Sequence, residues 1–188
     1  MSMRIIFPAV CIIPVLSQSP LHNVALCPAG SAKSTVNCLH KKNTMANVSI
    51  YLNFQGNTKE AFDYYKSVFK SEYAGPVMYM KDTPSQPGMP ALSEKEQNMV
   101  MHVCLPILGG FKLMATDMLE SMGHHLKVGN NTTINLEPDS REETDRLYNL
   151  LSAGGSETFP MQDMFWGAYW GTCLDKFGVR WMFNFMAK

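Results

Sequence analysis

Residues 162–185 read QDMFWGAYWGTCLDKFGVRWMFNF and contain two strand-like runs on either side of a tight turn at residues 174–178. The first run is rich in aromatic residues, and the second combines aromatic with β-branched types. Such runs, when Gly and Asp bound them, are typical of a β-hairpin. Glycines between the aromatic residues would let a ligand approach the backbone. The hairpin therefore either fills a core or forms the wall of an apolar pocket.

The composition of the whole chain is that of a globular protein without a charge bias. Of its 188 residues, 46% are hydrophobic and 17% are charged, and 16 basic residues balance 16 acidic ones. This composition does not indicate a disordered chain. It also does not indicate nucleic acid or an anionic membrane as a partner. The five cysteines show no CxxC pair and no zinc-site spacing. We therefore expect free thiols in a reducing, cytoplasmic compartment.

Residues 1–44 differ from the rest of the chain. Prolines interrupt the apolar runs, and no helical or strand period continues for long. The apolar run after Arg4 faintly resembles a signal peptide, but no clear small-residue cleavage site follows it. The run is also too short and too broken to span a membrane. We therefore expect residues 1–44 to be a disordered extension or the result of a start codon assigned too early, and residues 45–188 to form the folded domain.

From residue 45 onward the predicted elements occur twice in the same order, which is a strand, a helix and three further strands. Each helix has an apolar stripe at helical spacing and an N-terminal capping box. The capping residues are Asn57 with Glu60 in the first half and Ser140 with Glu143 in the second. The two repeats, residues 45–118 and 131–188, differ by a proline-rich loop at residues 82–96 in the first.

This repeat predicts the fold. Each unit would form a four-stranded sheet with a helix on one face, and repeats of this kind must bury their faces against each other. The remaining faces stay open, and two such sheets can curl towards one cavity. The sequence thus predicts an α+β fold of two βαβββ repeats, in which curled mixed sheets surround a shared cavity and the helices lie outside.

Several motifs resemble those of the vicinal oxygen chelate (glyoxalase/bleomycin resistance) superfamily, and within it the PhnB-like branch, also named 3-demethylubiquinone-9 3-methyltransferase-like. They are Leu52-x-Phe54-x-Gly56-Asn57, Glu60-Ala61-Phe62-x-Tyr64-Tyr65, Asp145-Arg146-Leu147 with Gly154-Gly155, and Asp175-Lys176-Phe177-Gly178-Val179-x-Trp181. The resemblance covers about residues 47–186. It implies the fold just described and a homodimer.

The resemblance also implies where a metal would bind. Metal-using members take one ligand from each of strands one, four, five and eight, and our overlay places these positions near Ile50, Met114, Thr133 and Met182. None is His, Glu or Asp, the donors that a hard or borderline divalent ion requires. We therefore expect no cofactor, and a divalent metal would fit only if the overlay were wrong. A methyltransferase is not indicated either, because Gly109 and Gly110 join two predicted strands and do not open a helix.

His102 and Asp117 are the candidate catalytic residues. They lie on consecutive predicted strands, residues 97–105 and 111–117, that would pair as a hairpin. A His–Asp pair can act as a general base and the group that orients it. Alternatively, His102 is a hydrogen-bonded strand histidine and Asp117 caps a turn. Thiol catalysis is not expected at Cys104 or Cys173, because neither lies near a predicted helix N-terminus.

The candidate ligand-binding residues combine aromatic and polar side chains. They are Trp166, Tyr169, Trp170, Met182, Asn184, Thr116 and Asn135. Aromatic rings can stack on a planar ligand, and a few polar groups in an apolar cavity are typical of a small-molecule site. Strand alternation places Trp166 and Trp170 on one face and Tyr169 on the other, unless a bulge at Gly167 intervenes.

Three functions remain open from the sequence. The first is a protein that binds a small, partly aromatic or apolar molecule in a metal-free pocket, in the manner of resistance proteins. The second is a glyoxalase- or dioxygenase-like enzyme that either depends on a metal or uses His102 as general base. The third is a structural dimerisation module whose own side chains fill the cavity. The expected partners are a small molecule and a second copy of the chain.

Overall fold

The structure is a computed structural model that describes residues 48–84 and 91–187, so the predicted N-terminal extension lies outside the described residues. The helices are α1 (Thr58–Phe69), α2 (Glu94–Gln97) and α3 (Arg141–Ser152). The strands are β1 (Ser49–Phe54), β2 (Met78–Tyr79), β3 (Val100–Pro106), β4 (Lys112–Asp117), β5 (Ile134–Leu136), β6 (Ser156–Asp163), β7 (Tyr169–Leu174) and β8 (Arg180–Phe185). Within these two ranges, none of the helices has the length and apolar character needed to cross a membrane.

The strands of the described residues form two four-stranded sheets with the same strand order. The first sheet is ordered β1-β4-β3-β2 and the second β5-β8-β7-β6. In the first sheet β1 pairs in parallel with β4, and in the second sheet β5 pairs in parallel with β8. All other neighbouring strands are antiparallel. The predicted repeat and the α+β class are therefore confirmed. The two sheets remain separate and do not close into a barrel.

Strands β7 and β8 form the hairpin that the sequence predicts. Their register runs from Tyr169 opposite Phe185 to Leu174 opposite Arg180. In the turn between them, the Asp175 carboxylate accepts hydrogen bonds from the backbone N–H groups two and four residues further on, each at 2.9 Å. Gly178 has a φ of +84°, which residues with a side chain rarely adopt. The Asp and the Gly of the turn therefore each have a structural role.

One hydrophobic core is shared by both halves. The Tyr65 ring of α1 packs edge-on against Trp181 of β8, with 5.6 Å between the ring centroids. The Tyr64 hydroxyl, also on α1, donates a hydrogen bond to the carbonyl of Leu150 on α3. The helix of the first half therefore contacts both the sheet and the helix of the second half.

Each sheet has two different faces. In β8, Trp181 and Phe183 are buried, whereas Met182 and Asn184 are partly exposed, and β4 shows the same alternation. Residues directly opposite each other on neighbouring strands share a face. Each sheet thus has one face in the core beside the helices and one face directed away from the core. We call the latter the open face.

The first helix begins differently from the prediction. Asn57 occupies the N-cap position, but its side chain makes no capping hydrogen bond. Instead, Asp117 at the end of β4 accepts hydrogen bonds from the Thr58 backbone N–H at 3.1 Å and from the Thr58 hydroxyl at 2.6 Å. The predicted capping box at Asn57 is therefore wrong. In the second half, the Ser140 hydroxyl accepts from the Glu143 N–H at 3.1 Å as predicted, but the Glu143 carboxylate pairs with Arg146 and does not complete the box.

The loop predicted at residues 82–96 ends in a short helix that the prediction missed. Helix α2 begins after Ser93, whose hydroxyl and backbone N–H both donate to the Glu96 carboxylate, at 2.7 and 3.1 Å. This Ser–Glu spacing is that of a capping box and could have been recognised in the sequence. The sequence also predicts only a short strand around residues 157–159, whereas β6 spans Ser156–Asp163.

Candidate functional site

Four aromatic side chains form a continuous group on the open face of the second sheet. The ring centroids of Phe159 and Trp170 are 5.3 Å apart, those of Trp170 and Trp166 are 6.4 Å apart, and those of Trp166 and Phe165 are 4.8 Å apart. We call these four residues the aromatic cluster. Its members come from β6, β7 and the turn between them. A contiguous apolar patch that is exposed to solvent is typical of a binding site.

Polar side chains lie beside the aromatic cluster on the same face. Asn184 is directly opposite Trp170, and Met182 has Thr172 on one side and Asn135 on the other. The Asn135 amide donates to the Glu137 carboxylate at 2.9 Å. Opposite residues have Cβ atoms about 5 Å apart, so these amide and hydroxyl groups are within reach of a ligand that stacks on the rings.

Tyr169 lies on the other face of β7, as strand alternation predicted. Its hydroxyl donates to the Asp145 carboxylate of α3 at 2.6 Å, and the Arg141 guanidinium lies 3.6 Å from its ring centroid. The hydrogen bond to Asp145, together with burial, raises the pKa of Tyr169. Tyr169 thus joins β7 to α3. Although the sequence predicts it to be a ligand-binding residue, it does not lie on the face that carries the aromatic cluster.

Asp117 has a structural role and does not pair with His102. Its side chain is 4% exposed. It accepts four hydrogen bonds at 2.6 to 3.1 Å, from the N–H groups of Gly56, Thr58 and Val100 and from the Thr58 hydroxyl. These bonds join the end of β4 to the start of α1 and to β3. Asp117 is therefore a cap, as in the alternative given above, but it caps helix α1 and not a turn.

His102 lies on the open face of the first sheet and has Tyr51 as its partner. Its Nδ1 is 3.2 Å from the Tyr51 hydroxyl, and the two rings stack with 5.8 Å between their centroids. Partial burial raises the pKa of Tyr51, and a hydrogen bond with Thr116 opposes that rise. Tyr51, which the sequence analysis missed, is therefore the group that orients His102. A histidine held through Nδ1 can offer its other nitrogen to a proton donor, a substrate or a metal.

The metal positions taken from the family overlay are only partly on the open faces. Met114 and Met182 are on them, but Ile50 packs against the core and pairs with the buried Leu113. The neighbouring residue Tyr51 faces outward instead and pairs with Met114. Within residues 48–84 and 91–187, His, Cys, Asp and Glu side chains form no group of three or more that could hold a metal ion.

Two cavities lie away from the aromatic cluster. The larger, about 300 Å³, is bounded by the free edge of β1, by the segment before β5 and by Arg180. The smaller, about 280 Å³, is lined by Thr116 and His124 among others. Thr116 thus lines a cavity that contains none of the other candidate ligand-binding residues. Leu126 and Val128 are the apolar residues that the segment before β5 contributes to the larger cavity.

Cys173 lies on the core side of β7, where a reaction at sulfur is disfavoured. Burial, and then the negative charge of Asp175, raise the pKa of the Cys173 thiol to about 12. Since the thiolate is the reactive form, we expect iodoacetamide to leave Cys173 unmodified in the folded chain and to modify it in urea. Peptide mass spectrometry would measure this. Equally fast modification in both conditions would contradict the burial of this residue.

Comparisons with known proteins agree with this fold. The sequence profile of the family described as 3-demethylubiquinone-9 3-methyltransferase matches residues 46–183. The crystal structure of protein PA1353 from Pseudomonas aeruginosa is 31% identical, covers 76% of this chain and 100% of its own, and superposes with a TM-score of 0.62. A PhnB protein from Bacillus cereus is 21% identical, covers 74% of this chain and 99% of its own, and has a TM-score of 0.58.

A more distant structure shows the same fold. It is the glyoxylase/bleomycin resistance protein/dioxygenase domain from Frankia sp. EAN1pec, which is 11% identical, covers 77% of this chain and 100% of its own, and has a TM-score of 0.50. The residues matched by the family profile include both βαβββ repeats. The chain therefore belongs to the PhnB-like family described as 3-demethylubiquinone-9 3-methyltransferase and has the fold of the glyoxalase/bleomycin resistance/dioxygenase proteins.

Proposed function

We propose that this protein binds a small, planar, partly aromatic molecule on the open face of the second sheet. The aromatic cluster is the observation that carries the proposal. Phe159 is 42% exposed, Trp166 45% and Phe165 95%. Removing apolar surface from water is worth about 25 cal/mol per Å², so a ligand that covers these rings gains binding free energy from each of them.

The polar neighbours of the aromatic cluster support a ligand with hydrogen-bonding substituents. Asn184 lies opposite Trp170, and Asn135 lies one strand further along the sheet. An amide can both donate and accept, so it suits a carbonyl or hydroxyl group on the ring of a ligand. Such binding requires no metal ion. Methyl transfer is not part of the proposal, because Gly109 and Gly110 lie in a turn between two strands and do not open a helix.

The proposal includes a second copy of the chain, paired so that the aromatic cluster and the open face of the first sheet stay accessible. Symmetric dimers are the commonest assemblies of soluble proteins, and the family resemblance implies one. We expect sedimentation velocity to give the mass of a dimer at micromolar concentration, and a monomer at every concentration would contradict this part. A reducing, cytoplasmic setting, in which Cys104 stays a free thiol, completes the proposal.

A pair of alanine variants tests the ligand site. Thermal unfolding would be followed with a panel of planar compounds that includes quinoline, coumarin and 1-naphthol, because a ligand of the native state raises Tm. We expect at least one compound to raise Tm, and F159A to weaken its binding about tenfold, which corresponds to about 1.4 kcal/mol of lost ring contact.

Phe111 provides the matched control for this experiment. It is 38% exposed, similar to Phe159, but it lies between β3 and β4 in the first half. We expect F111A to bind the same compound as tightly as the unmodified chain. The proposal fails if no compound raises Tm, or if F111A and F159A weaken binding equally.

A further inference from the structure

We propose that the open face of the first sheet contains a separate site for a soft monovalent metal ion, Cu(I). Its donors come from three neighbouring strands and comprise one imidazole, one thiol and two thioethers. They are His102, Cys104, Met78 and Met114. The site shares no residue with the aromatic cluster, so it goes beyond the proposed function and stands on its own observations.

The sheet register brings these four side chains together on one face. His102 and Cys104 are two residues apart on β3, which places them on the same face with Cα atoms about 7 Å apart. Met78 is directly opposite His102, and Met114 is directly opposite Cys104. Opposite residues of antiparallel strands have Cβ atoms about 5 Å apart and point to the same side. The donors therefore form one contiguous patch.

Accessibility agrees with a metal site. The residues on either side of Cys104 along β3, Val103 and Leu105, are buried in the core. Cys104 itself is partly exposed and is a free thiol, and Met78 is 40% exposed. An ion can therefore reach the sulfur atoms from solvent, whereas the buried face of the same strand is closed to it.

The donor types select the metal. Thiolate and thioether sulfur are soft ligands that favour Cu(I), whereas Mg²⁺ and Ca²⁺ require oxygen ligands. The four donors include no carboxylate, and the thiolate of Cys104 would neutralise the single charge of Cu(I). This set shares only Met114 with the four positions of the family overlay, which lie on strands of both sheets.

Tyr51 holds the imidazole in a suitable orientation. Its hydroxyl is 3.2 Å from Nδ1 of His102, and its ring stacks on the imidazole with an interplanar angle of 27°. Metal-binding histidines usually have their second nitrogen in such a hydrogen bond, and the partner typically changes metal affinity by about 10- to 100-fold. Tyr51 is therefore a positioning residue that holds Nδ1, so that Nε2 of His102 can bind the metal.

A Cu(I) competition titration tests the site in the full chain. The background would carry C11S, C27S and C38S, so that the remaining thiols are Cys104 and Cys173. Under anaerobic conditions with bathocuproine disulfonate as the competing chelator, we expect this chain to retain about one Cu(I), since soft donors bind it tightly.

The variants of this background separate the site from a lone thiol. We expect C104A to lose the ion, and H102A, M114L and Y51F each to weaken binding by about tenfold or more. C173A and M182L are the controls, because Cys173 lies in the core and Met182 on the other sheet, and both should bind as the background does.

Two results would overturn this inference. One is a background chain that retains no Cu(I) against the chelator. The other is binding that depends on Cys104 alone, with H102A and M114L unchanged in Cu(I) affinity and in Tm. X-ray absorption of the loaded background should show both nitrogen and sulfur ligands, and a shell of sulfur alone would exclude His102. F159A should bind Cu(I) normally, so failure here is distinct from failure of the aromatic-ligand proposal.

Discussion

Replacing Asp175 with alanine is expected to lower the free energy of unfolding by about 3 kcal/mol or more, because buried donors that lose their partner cost about 1 to 3 kcal/mol each. Asp175 is 3% exposed. It accepts hydrogen bonds from the Tyr65 hydroxyl at 2.7 Å and from the Trp181 indole at 2.8 Å, besides two backbone groups of its own turn. Burial raises the pKa of Tyr65 well above its ordinary value, so its hydroxyl stays protonated and donates.

Urea denaturation of two further variants would show whether the loss comes from these buried bonds. Y65F removes one donor and leaves the others paired, so we expect a loss of about 1 kcal/mol. D163A removes an aspartate of the surface, which pairs with Arg141, and should have a much smaller effect because exposed ion pairs contribute little. If D175A were as mild as D163A, Asp175 would not connect α1 of the first half to the sheet of the second.

The second large effect is expected at Asp117. D117A leaves the N–H groups of Gly56, Thr58 and Val100 and the Thr58 hydroxyl without their acceptor, so we expect a loss of about 3 kcal/mol in the free energy of unfolding. The first turn of α1 should exchange its amide hydrogens faster as well. Urea denaturation and hydrogen exchange would measure the two effects.

Asn57 provides the comparison for Asp117. The sequence predicts that Asn57 caps α1, and loss of a capping side chain typically costs about 1 kcal/mol. In the structure its side chain makes no capping bond, so N57A should leave stability nearly unchanged. A larger loss for N57A than for D117A would reverse our assignment of the cap.

The elements that the sequence predicted well are those with local patterns. The hairpin of β7 and β8 follows from alternating residues around an Asp–Gly turn, and the two repeats follow from the order of such patterns. The cap of α1 could not be found in this way, because Asp117 lies 59 residues from Thr58 along the chain. The same holds for Asp175 and Tyr65, which are 110 residues apart.

In the candidate site, too, the sequence predicts what depends on a local pattern and misses what depends on pairing between distant strands. Alternation along a single strand correctly separated Trp170 from Tyr169, since that requires only the period of a strand. The partner of His102 depends on how β1 pairs with β4, and this parallel register places Tyr51 opposite Met114. A pairing between strands that are distant in sequence leaves no local signal, so the sequence offered only Asp117 as a partner for His102, where the structure has Tyr51.

The indole N–H signals of the three tryptophans offer the most direct test of the proposed ligand site. In a ¹⁵N-edited NMR spectrum assigned with W166F and W170F, a planar compound that raises Tm should shift the signals of Trp166 and Trp170. The signal of Trp181, which is buried and bonded to Asp175, should stay in place. Shifts confined to residues of the first sheet, with both Trp166 and Trp170 unchanged, would contradict binding at the aromatic cluster.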